Sequence, residues 1–193
     1  MELDPVTIVA LVAGLVVVAA IFVMMARHRA RQRSEALREH FGPEYERAIA
    51  SHGDRTRAER DLVARQKRLD ELDIRPLSAE QCERFGAEWA GVQQRFVDDP
   101  RGAVSEADSL VKQAMRARGY PMGDFEQRVA DLSVEHASTV DHYRAARTIA
   151  RSNDSGTADT EDLRQAMVHY RALFNDLLEH TQVGHAQLRQ AHA

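Results

Sequence analysis

From Pro5 to Ala26 the chain reads PVTIVALVAGLVVVAAIFVMMA, without one charged residue. Wound into an α-helix, this run is about 33 Å long, enough to cross a hydrocarbon core of about 30 Å. Its flanks are unequal. Glu2 and Asp4 precede it with no base, whereas Arg27, Arg29, Arg31 and Arg33 follow it within ARHRARQR. Because bases collect on the cytoplasmic side, the expected arrangement is a single-pass transmembrane helix over 5–26 in the cell inner membrane. A short external N-terminus covers 1–4, and everything beyond Ala26 lies in the cytoplasm. A cleaved signal peptide would begin with bases, carry a shorter apolar core and end in a small-x-small site. The acidic start, long core and basic exit fit an anchor better.

The arginine cluster is the candidate membrane-surface contact, worth about 1 kcal/mol per charge beside anionic headgroups, although a topology signal alone explains it. Ala10 and Gly14 form a small-xxx-small pair through which two anchors would pack closely; lipid-facing filler accounts for the same pair. The bilayer is thus the expected partner, with a homodimer or another protein as further ones.

After the run the pattern is helical almost throughout. A basic juxtamembrane and linker region is expected over 27–53, with one helix carried on to Phe41, a stop at Gly42-Pro43 and a short helix ended by Gly53. A helical bundle domain is expected over 54–182. In it Asp54 caps a helix from Arg55 to Leu72, and Ile74-Arg75-Pro76-Leu77 forms an extended connector. Ser78 and Gln81 form a capping box. The helix they open carries Cys82, Phe85, Trp89, Val92 and Phe96 at helical spacing, and Gly86 and Gly91 on it suit close packing. Asp98-Asp99-Pro100 starts the next helix, which ends at Gly119. The longest is expected over Asp124–Arg151, with His136 interrupting its apolar stripe. Thr160 caps a last helix bearing Leu163, Met167, Tyr170, Phe174 and Leu177. A polar, flexible tail is expected over 183–193. Amphipathic helices joined by short turns make an all-α, antiparallel bundle.

The chemistry of the soluble part is mostly negative. Acids outnumber bases, 30 to 26, and four of the bases are in the membrane flank, so nucleic acid is a poor partner. Nearly all bases are arginine, the trace of a GC-rich, bacterial coding sequence. None of the 9 histidines has a Glu three residues ahead of it, so the Glu-x-x-His pattern of di-iron bundles is missing. His-Glu-x-x-His, paired Cys-x-x-Cys, phosphate loops and Gly-x-Ser-x-Gly elbows are missing too. Glu135, Thr139 and His142 share a face of the long expected helix, but a solvated face explains them better than a metal. No catalytic residue, cofactor site or metal site is therefore assigned, and an enzyme is not expected.

Two polar residues on apolar stripes are candidates for burial. His136 is either a pH-sensitive or ligand-binding group in the core or a histidine bonded to a neighbouring helix. Cys82 reads as a small core residue rather than a nucleophile. The stripe of Phe85, Trp89, Val92 and Phe96 is either core or a partner face, since periodicity does not separate the two. The acids of Leu69-Asp70-Glu71-Leu72-Asp73 stand at a helix C-terminus, with Arg68 and Arg75 beside them to neutralise them locally.

Three stretches carry a resemblance: IRPLSAEQCERFGAEWAGVQQRFVDDPRGAVSEADSLV, RARGYPMGDFEQRVADLSVEHASTVDHYRAAR and TEDLRQAMVHYRALFNDLL. They resemble an uncharacterised bacterial family of single-pass membrane proteins with a C-terminal all-helical domain, the DDP and RGYP turns being the clearest marks. The resemblance implies a bacterial source and a single soluble domain, and it brings no catalytic residues. The expected function is a non-catalytic, membrane-anchored helical interaction or scaffold module. The alternative is a tethered helical domain that binds a small ligand or a metal.

Overall fold

The structure, a computed structural model, describes the backbone of residues 5–191 and the side chains of 14, 15 and 18–179. Among the described residues the chain is all helical, with no strand. The helices are α1 (Pro5–Phe41), α2 (Pro43–His52), α3 (Arg55–Asp70), α4 (Ala79–Arg95), α5 (Pro100–Arg118), α6 (Phe125–Glu135), α7 (Val140–Asp154) and α8 (Thr160–Ala191). They divide into two units, residues 1–40 and 41–193.

The first unit is the body of α1. Leu15, Val18 and the consecutive residues Ile21–Met25 are exposed, and five residues in a row turn through every face of a helix. Arg27, Arg29, Arg31 and Arg33 are exposed as well. Among the described residues no helix is long and apolar enough to cross a membrane. Of the expected 5–26 span, the side chains of 5–13, Val16 and Val17 lie outside the described residues, and Ala10 with them. Residues 1–4 also lie outside.

The second unit begins at Phe41, earlier than the expected 54. Phe41, Tyr45 and Ala48 are buried, because α2 packs on α3, so α2 belongs to the helical unit and not to a linker. Local chemistry sets most of the helix ends. Asp54 accepts from the Arg57 amide at 2.8 Å, Asp99 from the Gly102 amide at 2.9 Å, and Ser78 and Gln81 complete the capping box. Asp159 rather than Thr160 caps α8, accepting from the Asp162 amide at 2.8 Å. The segment expected as a flexible tail is helical backbone as far as Ala191.

The core sits where α5, α7 and α8 pack on one another, with α4 laid against α5, and α3 joined to α7 through α6. Small side chains on α5 (Ala103, Ala107, Ala114) and α7 (Ala146, Ala150) bring backbones together around Tyr143, Tyr170, Leu173 and Phe174. The extended connector after α3 buries Leu77 and is tied to the end of α5 by the Arg75 amide on the Arg118 carbonyl at 2.7 Å. Gly119 makes that approach possible. Its φ is +100°, and a Cβ there would lie 2.4 Å from the Asp73 carbonyl oxygen. On α4, by contrast, a Cβ at Gly86 or Gly91 meets nothing within 4 Å, so these glycines do not serve close packing.

Candidate functional site

The helix expected over 124–151 is broken. α6 ends at Glu135, His136 leaves the helical region at φ −121° and ψ 38°, and α7 starts at Val140. The His136 carbonyl accepts both the Thr139 amide at 3.0 Å and the Val140 amide at 2.9 Å. No glycine or proline marks this turn. What accompanies it is a set of buried polar contacts that an unbroken helix would aim differently.

His136 is 1% exposed and uses both ring nitrogens. Nε2 lies 2.8 Å from Arg118 Nη1, and Nδ1 lies 2.9 Å from Asp176 Oδ2 on α8. A guanidinium only donates. The neutral ring therefore accepts at Nε2, carries its proton at Nδ1 and donates that proton to Asp176. Thr139 also donates its hydroxyl to Asp176. Arg118, 5% exposed, donates through Nη2 to Glu135 at 3.2 Å, and Tyr120 donates its hydroxyl to the same oxygen at 2.7 Å. Burial pushes the Tyr120 hydroxyl pKa up; Arg118 opposes this and Glu135 adds to it, so it stays a proton donor. The result is a chain of contacts across α5, α6 and α8 in which one guanidinium serves two carboxylates: Arg118 meets Glu135 directly and reaches Asp176 through the His136 ring, while Tyr120 adds a second donor to Glu135.

Other polar groups are sunk in the same unit. Glu44, 1% exposed, is gripped by Arg144, whose Nη2 donates to Oε2 at 2.8 Å, and Arg47 approaches it at 3.2 Å. Asp131, also 1% exposed, takes Arg68 at 3.0 Å and Gln127 at 2.8 Å. Tyr170 donates to Asp108 at 3.0 Å inside the bundle, and Lys112 bonds the same carboxylate. Each carboxylate meets a cation or several donors, which is the condition for burying it.

Of the residues singled out in the sequence, Phe85, Trp89 and Val92 are buried and Phe96 is half-buried. Trp89 stacks on Phe174 of α8 with ring centroids 4.8 Å apart. Cys82 is half-buried, so it is less enclosed than a core position. Glu135, Thr139 and His142 do not share one helix face. The first two join the His136 chain, and His142 faces His169 of α8 with the two Nδ1 atoms 2.9 Å apart. Among the described residues no group of three or more His, Cys, Asp or Glu side chains is placed to hold a metal ion.

Sequence reasoning missed Arg118, Tyr120, Asp176 and His169. An arginine in the last turn of a helix reads as a favourable end charge, and nothing local announces that Arg118 is buried. Its neighbours in the RGYP turn stood out only as turn formers. No family model, curated protein or solved structure matches the chain. The residues themselves carry the functional argument.

Proposed function

We propose that the chain is a membrane-anchored, non-catalytic helical module, an antiparallel bundle tethered by α1 on the cytoplasmic side and acting through interaction with a partner. The observation that carries this reading is the exposure of the apolar side chains Leu15, Val18, Ile21, Phe22, Val23, Met24 and Met25 of α1, followed at once by Arg27, Arg29, Arg31 and Arg33. A helix apolar on every face needs lipid or protein around it, and the arginines suit the cytoplasmic rim. The bacterial, single-pass family resemblance points the same way.

The state of the buried polar groups supports a non-catalytic role. His136 has both nitrogens engaged by Arg118 and Asp176 and is closed to solvent, so it offers no lone pair or proton to a substrate. The same engagement weakens a ligand- or metal-binding reading centred on His136.

A C-terminal fusion tests the topology. With the full chain in a bacterial host, green fluorescent protein after Ala193 should fluoresce and alkaline phosphatase after Ala193 should be inactive. The chain should stay in the membrane fraction after an alkaline carbonate wash. An active phosphatase fusion, or release by the wash, would overturn the anchored reading.

A further inference from the structure

We propose that the groove between α4 and α8 is a binding site for a small apolar carboxylic acid. It lies beside the Trp89–Phe174 stack, encloses about 260 Å³ and has apolar walls formed by Trp89, Phe96, Met167 and Val168. Val168 is 37% exposed and Phe96 half-buried, so the walls are open to an incoming molecule. The remaining lining residues are Gln93, Arg164 and Arg171.

Three observations select the ligand class. Charge is the first. The charged lining residues are both arginines, in a chain whose net charge is -4. Arg164 is held by Glu161 through bonds of 2.8 and 2.6 Å, whereas Arg171 is exposed and makes no hydrogen bond or ion pair among the described residues. An unopposed guanidinium at the edge of an apolar groove is a carboxylate receptor. Hydrogen bonding is the second. Trp89, whose ring forms a wall of the groove, carries a buried Nε1 without a partner, so the residue a ligand would touch holds a donor the fold leaves unused. Size is the third. The volume falls just below the range of about 300–1,000 Å³ typical of drug-sized ligands. It has room for one compact body, not for the several successive anchors of a docked partner helix.

The site goes beyond the anchored-module reading and does not depend on it. The test uses the full chain in lipid nanodiscs, labelled with ¹⁵N at tryptophan and ¹³C at methionine methyl groups. With 1 Trp in the sequence, the spectrum holds a single indole N–H resonance. Titration with 4-phenylbutyrate should shift that resonance and the Met167 methyl, with a Kd on the order of 1 mM. The uncharged 4-phenylbutanol should bind about tenfold more weakly. Arg171→Gln, a surface change that leaves the helix intact, should abolish the preference for the acid while the alcohol binds as before. Three results would overturn the proposal: no shift with acid up to about 10 mM, equal binding of acid and alcohol to the wild-type chain, or an acid preference that survives Arg171→Gln.

Discussion

His136 donates its Nδ1 proton to Asp176 across 2.9 Å, and this bond ties the turn between α6 and α7 to α8. Asp176 also takes the Thr139 hydroxyl, so one carboxylate holds both ends of the turn. Its side chain is only 14% exposed. Asp176→Ala strands the buried His136 N–H and takes the acceptor from the Thr139 hydroxyl, and it should cost about 2–4 kcal/mol in urea unfolding. Asp176→Asn keeps an oxygen to accept from His136 and should cost about 1–2 kcal/mol. If both variants unfold with the wild-type midpoint, the chain of contacts does not hold the turn.

Gly119 and Gly86 should respond in opposite directions to the same substitution. At Gly119 an added Cβ meets the Asp73 carbonyl oxygen at 2.4 Å in a left-handed backbone. Gly119→Ala should therefore destabilise by about 1–3 kcal/mol. At Gly86, inside α4, the added Cβ meets nothing, so Gly86→Ala should stabilise by up to about 1 kcal/mol through helix propensity. Thermal melting of the two variants beside wild type measures both signs in one experiment.

These glycines also show how far the sequence could be read. Gly53, Gly119, Asp54, Asp99 and the Ser78–Gln81 pair act within a few residues of themselves, and the helix ends they mark are where local chemistry places them. The break at His136 was not legible. Its determinants, Arg118 and Asp176, are 18 and 40 residues away, and an apolar stripe continues through the break at helical spacing. Gly86 and Gly91 suit close packing by sequence and yet a Cβ at either meets nothing within 4 Å, because a glycine on an amphipathic helix does not reveal what lies opposite it. Arg118 illustrates the general difficulty: periodicity finds buried apolar side chains, but a buried charge leaves no trace until its counter-charges are located in space.

Trp89 has an unusual balance of contributions. Its ring stacks on Phe174, whereas its Nε1 is buried without an acceptor. Trp89→Ala removes the ring and should cost about 3–5 kcal/mol. Trp89→Phe keeps an aromatic face on Phe174 and discards the orphan donor, so the loss should stay within about 1.5 kcal/mol. Chemical denaturation of both variants, followed by circular dichroism, tests the pair. An alanine variant as stable as wild type would mean that this helix face is a surface rather than core.

The His142–His169 contact makes the helical unit sensitive to mild acid. Their Nδ1 atoms are 2.9 Å apart, so one ring must donate and the other accept, and protonating both sets two N–H groups against each other. Burial first, and the His142 charge second, hold the His169 pKa below its ordinary value of 6.5. The sign follows from linkage. Between the lowered folded value and 6.5 the unfolded chain binds more protons than the folded one, so stability rises with pH through that window. The contribution is complete above 6.5 and is lost as pH falls toward the folded value. His169→Gln removes the titrating group, and its unfolding free energy should climb less steeply than wild type between about pH 5 and 7. Subtracting the two curves cancels the histidines common to both proteins. A difference that is flat across the window would show that His169 titrates alike in the folded and unfolded chains. A difference that grows toward acid with the opposite sign would mean that the contact stabilises the protonated ring instead.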